Sequence, residues 1–376
     1  MRPTGKFRVG QSSGSTIKTD VEGGCGVPNS LGISLRNVGK LEHLKEELRR
    51  ARLPSIGDSS CSRRESLKSW GFATPILQGG MAWITGWEMA AAVCEAGGLG
   101  TIAAATMEPQ ELIENIRRIR KATERPFAVN IPLRLPTAKK AVEIAIEEQV
   151  PVIVSSAGDP LLHAENIKRR GITLFQVVFS VDMVKRCNQS GVDGIIAMGA
   201  EGGGNISPAE ISTLVLVREV VQETDLPVVA AGGICDGKGL AAALALGAEG
   251  IQMGTRFLAT REATVHERYK QAILDASDTD TIMTGRTTGL QFRVRKNPLS
   301  EKVLGMEKEG KPREEIDAFT IGSLKKAAVE GDTIWGSLMM GQVSGMIRDI
   351  RPVGEMLDHI VSSALSEIRS LGRYLS

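Results

Sequence analysis

Short apolar runs alternate with amphipathic stretches along the middle of the chain, from Pro75 to Met253. The runs are too uniformly apolar for strands with one face in water, which is typical of buried parallel strands. The stretches between them place apolar residues at helical spacing. The pattern predicts eight strands (Pro75–Met81, Leu99–Ala103, Phe127–Ile131, Val152–Ser155, Thr173–Val178, Gly194–Ala197, Val228–Ala231, Gly250–Met253) and seven intervening helices (Trp87–Ala96, Pro109–Ala122, Thr137–Glu148, Pro160–Arg169, Val181–Gln189, Ala209–Glu223, Lys238–Leu246).

Eight strands that alternate with helices predict an α/β protein whose residues 75–261 form a (β/α)₈ TIM barrel. An open doubly wound sheet is the alternative, but the regular spacing without a topological break favours closure. The remaining sequence divides into an N-terminal extension (1–74) with one amphipathic helix at 39–53, an inserted lid or substrate region after the eighth strand (262–320), and C-terminal helices that complete the barrel (321–376).

Composition narrows the class of protein. The chain has 376 residues, and 46 Lys+Arg against 44 Asp+Glu gives a net charge of +2, which does not favour nucleic acid as a partner. No apolar run approaches the ~20 residues of a membrane helix, and the N-terminus lacks the apolar core of a secretory signal. Five scattered cysteines (Cys25, Cys61, Cys94, Cys187, Cys235) indicate a reducing compartment rather than a disulfide framework. We therefore expect a cytoplasmic protein without a membrane span.

Glycines cluster where the predicted strands end, at the face where barrels bind their ligands. The first strand ends in Gln78-Gly79-Gly80-Met81 and the third at Asn130, while the last two run into Gly232-Gly233 and Gly254-Thr255. In the last two turns, free backbone N–H groups and a positive helix end favour a phosphate. A tight turn alone explains any single glycine pair, but the clusters together indicate a phosphate-bearing cofactor.

The loop from Glu201 to Asn205 is the strongest candidate for chemistry. Its three consecutive glycines (202–204) let the backbone lie flat against a ring, and either Glu201 or Asn205 has the hydrogen-bonding groups to meet ring heteroatoms.

The four histidines lie away from the predicted strand ends, and we expect structural or surface roles for them. Cys235 is either a reactive thiol or, as we favour, a small buried residue. The charged run 293–296 is typical of a solvated face, with an acidic carrier or phosphate as the alternative partner.

Six segments occur in an order that resembles one known family. They are QGGMAW (78–83), EAGGLG (95–100), PFAVNI (126–131), AAGGI (230–234), QMGTRF (252–257) and GSLMMGQVSG (336–345). Together they resemble the FMN-dependent family of enoyl-acyl-carrier-protein reductase II and nitronate monooxygenase, also described as 2-nitropropane dioxygenase-like. The resemblance runs from residue 75 to residue 371 and is closer to the reductase branch.

The resemblance implies FMN at the barrel mouth and NADH or NADPH as reductant. Hydride would pass from flavin N5 to an activated alkene, with an enoyl thioester as the expected substrate and an acyl carrier protein as an expected partner. We also expect a homodimer. The cofactor-binding residues implied are Gly79, Gly80, Met81, Asn130, Glu201, Gly204, Gly232, Gly233, Gly254, Thr255, Met340 and Gly341, with Asn205 and Glu201 as catalytic candidates.

Asn205 departs from the family pattern. The resemblance places a histidine at this position, assigned as general base in nitronate oxidation and located at the active site of the reductases as well. Asparagine cannot exchange a proton near neutral pH. Hydride transfer is less affected, because an amide still donates a hydrogen bond to a carbonyl. Two alternatives to enoyl reduction stay open: a nitronate monooxygenase, and a flavin-binding protein with weakened catalysis and a regulatory or assembly role.

Overall fold

The computed structural model describes residues 72–373. The predicted amphipathic helix at 39–53 and nearly all of the extension 1–74 lie outside the described residues, so those predictions stay untested. Within residues 72–373, no helix is both long and apolar enough to cross a membrane.

Eight parallel strands form the barrel, as the alternation predicted. They are β1 (Ile76–Gln78), β2 (Thr101–Ala103), β3 (Ala128–Pro132), β4 (Val152–Ser156), β5 (Thr173–Val178), β6 (Gly194–Met198), β8 (Val228–Ala231) and β9 (Gly250–Met253). The spatial order is β1-β9-β8-β6-β5-β4-β3-β2. A parallel bridge between Leu77 and Leu99 joins the two ends, because Gln78 N donates to Leu99 O and Leu99 N donates to Ile76 O, both at 3.0 Å. The open-sheet alternative is therefore wrong.

Helices cover the outside of the barrel at nearly the predicted positions. Those between the strands are α1 (Trp87–Glu95), α2 (Pro109–Ala122), α3 (Ala138–Glu147), α4 (Ala164–Lys168), α5 (Val181–Ser190), α6 (Thr213–Glu223) and α7 (Gly237–Ala245). Two predictions were wrong in extent. The stretch Pro160–Arg169 is split into a 3₁₀ turn, Pro160–Leu162, and a short α4, because His163 between them has φ of −132° and ψ of −14°, outside the helical region. The helix predicted from Ala209 begins only at Thr213, because residues 207–210 form a turn in which Glu210 N donates to Ser207 O at 3.2 Å.

Two apolar cores follow from this arrangement. Strand residues that face inward fill the barrel itself, among them Val154, Phe175 and Val229. Their neighbours along each strand face outward and pack against the helices in a larger cluster that includes Ile153, Leu174 and Ala230. Alternate residues of one strand thus serve different cores, which explains why the strands are apolar on both faces.

The chain after β9 contains more regular structure than the sequence predicted. Strands β10 (Thr281–Thr284) and β11 (Gln291–Arg295) pair antiparallel, and β11 also pairs with β7 (Gly204–Ile206). The last residues of the predicted glycine loop are thus a strand edge rather than free loop. Helices α8 (Thr255–Leu258), α9 (Glu267–Leu274), α10 (Pro298–Lys308), α11 (Arg313–Thr320), α12 (Ser323–Lys325) and α13 (Val353–Gly372) complete the described fold.

Helix α13 packs closely on α7 of the barrel. A Cβ placed on Gly237 would lie 2.5 Å from Ala364 N and 2.6 Å from Ile360 O, so the two helices meet backbone to backbone. Buried Arg256, one residue after the last glycine turn, ties α8 to the segment before α13. It donates to Asp349 Oδ1 at 3.0 Å and to Ala259 O at 2.7 Å.

Candidate active site

The glycine turns after β8 and β9 lie at the same level of neighbouring strands, because Ala231 pairs with Gln252. Gly232 and Gly233 have φ of 89° and 71°, a conformation that other residues rarely adopt. Within the described residues, the backbone N–H groups of Gly233 and Gly254 donate to no protein acceptor. Unpaired N–H groups on two adjacent turns fit a phosphate, so the chemistry of this end of the site agrees with a phosphate-bearing cofactor.

Thr255 connects the second turn to the segment 339–342. Its buried Oγ1 accepts a hydrogen bond from Gly341 N at 3.0 Å. Met340 is fully buried, and Tyr269 Oη donates to Met339 O at 2.7 Å. Burial raises the pKa of Tyr269, so the phenol stays protonated and acts as a donor. Thr255 and Tyr269 therefore both hold segment 339–342 in place at the barrel mouth.

The loop after β6 lies against this same segment. A Cβ on Gly203 would lie 2.6 Å from Gly341 N, and a Cβ on Gly341 would lie 2.6 Å from Glu201 O. Gln342 N also donates to Glu201 O at 2.9 Å. Glycine is needed here because two backbones touch, not because the loop is flexible.

The carboxylate of Glu201 is directed to the start of α6. Thr213 N lies 3.0 and 2.9 Å from the two oxygens, and Thr213 Oγ1 donates to Oε2 at 2.8 Å. A carboxylate beside a helix N-terminus is a stabilising arrangement. Glu201 thus anchors its own loop to the barrel.

Arg293 of β11 holds the loop from the other side. Its Nε donates to Ala200 O at 2.8 Å and its Nη1 to Thr281 Oγ1 at 3.2 Å. The side chain is 8% exposed, so the prediction that this charged run is a solvated face was wrong at its first residue. Burial lowers the pKa of Arg293, while the charge of Glu201 raises it in part. An arginine stays cationic under such a shift, so a positive charge sits behind the loop.

Asn205 is the central residue of β7 and lies opposite Phe292. Its Nδ2 donates to Gln291 O at 3.2 Å. One amide N–H remains for a ligand, since a primary amide has two. The side-chain Oε1 of Gln291 is buried and has no hydrogen-bond partner within the described residues. Gln291 pairs with Ile206 rather than with Asn205, so its side chain points to the opposite face of the sheet from that of Asn205.

The end of β1 meets the end of β3 on the opposite side of the mouth. A Cβ on Gly80 would lie 2.5 Å from Asn130 Cβ, and Asn130 Nδ2 donates to Val154 O at 3.0 Å. Gly79 N donates to Met253 O at 2.9 Å. A Cβ on Gly254 would lie 3.6 Å from Met81 Sδ, in ordinary contact. The predicted site residues that follow the first, third, seventh and eighth strands of the barrel thus lie at the same end of the barrel.

Sequence reasoning missed a polar layer inside the barrel. Gln78 and Gln176 are fully buried and Ser155 is 1% exposed. Gln78 Oε1 accepts from Thr101 N at 2.9 Å, and Ser155 Oγ donates to Phe175 O at 3.0 Å. The sequence signal for this layer was a glutamine or serine near the end of an otherwise apolar strand. A buried amide without a hydrogen-bond partner is energetically costly, so such a residue indicates that partners are present.

The other titratable candidates do not join the site. Cys235 is buried, and that burial raises the pKa of its thiol to about 11, which agrees with the small-residue interpretation rather than a reactive thiol. His266 caps α9, where its Nδ1 accepts from Arg268 N at 3.1 Å. Among residues 72–373, no group of three His, Cys, Asp or Glu side chains could hold a metal ion.

Comparison with known proteins agrees with this architecture. The family model described as nitronate monooxygenase matches residues 66–363. A relative from Rhodococcus jostii, (3aS,4S,5R,7aS)-5-hydroxy-7a-methyl-1-oxo-octahydro-1H-indene-4-carboxyl-CoA dehydrogenase, is 32% identical over 80% of this chain and 96% of its own. A probable nitronate monooxygenase from Staphylococcus saprophyticus is 32% identical over 77% of this chain and 94% of its own. The structure of FabK from Thermotoga maritima aligns with a TM-score of 0.79 and 41% identity, covering 85% of this chain and all of FabK.

Proposed function

This chain belongs to the nitronate monooxygenase family of oxidoreductases, and within it we propose an FMN-dependent reductase that transfers hydride from NADH or NADPH to an enoyl thioester. The high identity to a FabK structure supports the reductase branch. The name of the Rhodococcus relative, a carboxyl-CoA dehydrogenase, supports a thioester as the substrate class. An acyl carrier protein and coenzyme A are both possible carriers in this proposal, and a homodimer stays a prediction.

The residues at the mouth fit FMN. The free N–H groups of Gly233 and Gly254 would hold its phosphate, since they lie on adjacent turns. Met81 and Asn130 would flank its ring on one side, and segment 339–342 would close over the other. When bound, FMN would supply the two-electron chemistry, and the chain would supply orientation and a site that excludes water.

One observation carries the proposal: the loop beside the expected ring position has no free general base. Asn205 has no titratable group, and the carboxylate of Glu201 is occupied by Thr213. Removal of a proton from a neutral nitroalkane needs a base, so the loop disfavours that substrate, whereas an alkyl nitronate is already deprotonated and its oxidation is tested separately below. Hydride addition to an enoyl thioester needs a polarised carbonyl instead. The second N–H of Asn205 can provide that hydrogen bond, and water can provide the proton that completes the reduction.

The test is anaerobic turnover by the full chain purified with FMN. We expect oxidation of NADH or NADPH that depends on a trans-2-enoyl-CoA and produces the saturated thioester. Absorbance of the flavin, followed before and after each nicotinamide is added, identifies the reductant. Absence of turnover with every enoyl thioester, on coenzyme A and on acyl carrier protein, would overturn the proposal.

Nitronate oxidation is the second candidate, favoured by the family model and by the relatives named probable nitronate monooxygenases. It predicts oxygen uptake with alkyl nitronates and no need for nicotinamide. A flavin-binding role without catalysis predicts bound FMN that neither nicotinamide reduces quickly. Anaerobic turnover with enoyl thioesters, oxygen uptake with alkyl nitronates and flavin absorbance after each nicotinamide together separate the three functions.

A further inference from the structure

Trp83 has an unusual backbone for a bulky residue. Its φ is 65°, in the left-handed region. The turn is fixed on both sides, because Ile84 N and Thr85 N donate to Met81 O at 3.0 and 2.9 Å, and Thr264 Oγ1 donates to Ile84 O at 2.9 Å. Backbone strain persists only where the surroundings impose it, and such outliers are concentrated at ligand clamps and active sites.

The strained turn presents the indole outward at the rim of the mouth, where the side chain is 42% exposed. The Nζ of Lys325, from α12, lies 5.1 Å from the centre of the ring. Within the described part of the chain, no carboxylate forms an ion pair with Lys325. The ammonium thus covers one face of the indole in a cation–π contact, so a nucleobase would stack on the opposite face, and the same ammonium would attract a phosphate.

The position of Trp83 also connects it to the candidate active site. It is two residues from Met81, so their Cα atoms are at most about 7 Å apart. Met81 Sδ in turn lies in contact range of Gly254, on the second of the glycine turns. The indole therefore belongs to the same turn as a residue of the candidate active site.

We propose that Trp83 and Lys325 form a binding site for an adenine nucleotide, with the base stacked on the indole and a phosphate beside the ammonium. The inference rests on the proposed function for the origin of the nucleotide. A nicotinamide coenzyme and a coenzyme A thioester both carry adenine and phosphate, so the two share this recognition chemistry. The strain at Trp83 then serves to hold the ring in the orientation that the base requires.

The test measures binding of redox-inert fragments to the full chain by isothermal titration calorimetry. ADP stands for NADH, 2′-phospho-ADP for NADPH, and 3′-phospho-ADP for coenzyme A. We expect one fragment to bind most tightly, which identifies the source. We expect W83A to weaken its binding by about 5- to 100-fold, the range for loss of one base–aromatic stack. K325Q should weaken it by several-fold and reduce its dependence on salt.

Two further variants keep the result interpretable. W83G removes the ring and places glycine where φ is positive, so it relieves strain and the chain should fold at least as well as the wild type. It should lose binding as W83A does. W335A removes another exposed tryptophan, 48% exposed, and should leave binding unchanged.

Either of two results would overturn the inference: no fragment binds, or W83G binds the fragments as tightly as the wild type or as W335A. Fragment binding needs no turnover, so its outcome is distinguishable from that of the proposed function. If the fragments bind through Trp83 and no enoyl thioester is reduced, the proposed reaction is wrong and the nucleotide site stands. If enoyl thioesters are reduced and W83G leaves the nucleotide KM unchanged, the nucleotide site is wrong and the reaction stands.

Discussion

The two halves of the candidate active site are built in different ways. The turns at Gly232-Gly233 and Gly254-Thr255 follow directly from neighbouring strands of the barrel, so local sequence determines them. The loop at 201–205 is held by residues far along the chain: Arg293 donates to Ala200 O across 93 positions, and Asn205 donates to Gln291 O across 86. The end suited to a phosphate is thus part of the scaffold, whereas the end suited to chemistry depends on the insertion.

The largest expected effect belongs to the chemical end. N205H adds a group that can exchange a proton, so we expect oxidation of a neutral nitroalkane to rise by about 10²- to 10⁴-fold over the wild type. Oxygen uptake with the flavin-loaded protein measures this. N205Q is the control, since it keeps an amide and should gain nothing. If N205H gains no more than N205Q, the missing base is not what distinguishes this loop.

Loss of Arg293 tests whether the insertion supports the loop. R293M leaves the buried carbonyl of Ala200 without its donor, so we expect the free energy of unfolding to fall by about 1–3 kcal/mol. R295M, two residues along β11, removes only a partly exposed ion pair of 3.9 Å with Asp280 and should cost less than about 1 kcal/mol. Denaturant midpoints measure both variants. Equal losses would contradict a special role for Arg293.

The smallest expected effect separates backbone strain from ligand binding at the phosphate end. Gly233 and Gly171 both have φ of 71°, but nothing lies within 4 Å of a Cβ on Gly171. We expect G171A to lose about 1–2 kcal/mol of stability, because alanine is strained in this conformation. G233A should lose at least as much, since its Cβ would also lie 3.1 Å from Glu201 Cβ. Only G233A should also weaken FMN binding, measured by fluorescence titration. Similar FMN affinities in the two variants would show that this turn does not hold the cofactor.

Sequence reasoning was strongest where structure is local. Periodicity located all eight barrel strands to within a few residues, because a strand buried on both faces reads directly as an apolar run. It missed β7, β10 and β11, since a pairing across about ninety residues has no local signature in segments such as 291–295.

The same distinction applies to the candidate site. The glycines at 232–233 were identifiable because turns require them, and their positive φ values agree. The anchoring of Glu201 by Thr213 was not identifiable, since a carboxylate in a glycine-rich loop has the same sequence pattern whether it faces a ligand or a helix start. Burial of Arg293 was also hidden, because charge alone indicates a solvated residue.

The pairing of β11 with β7 limits how this protein can be re-engineered or diversified. The insertion contributes a strand to the segment that contains Asn205, so the two segments share one set of backbone hydrogen bonds. A chimaera that imports residues 281–295 from a homologue also imports a new neighbour for residue 205. If residues 281–295 and 204–206 are exchanged together, the register between β11 and β7 is preserved. If only one of the two segments is exchanged, strands from different proteins must pair. The sequence of the insertion and the conformation of the segment that contains Asn205 are therefore coupled in this fold.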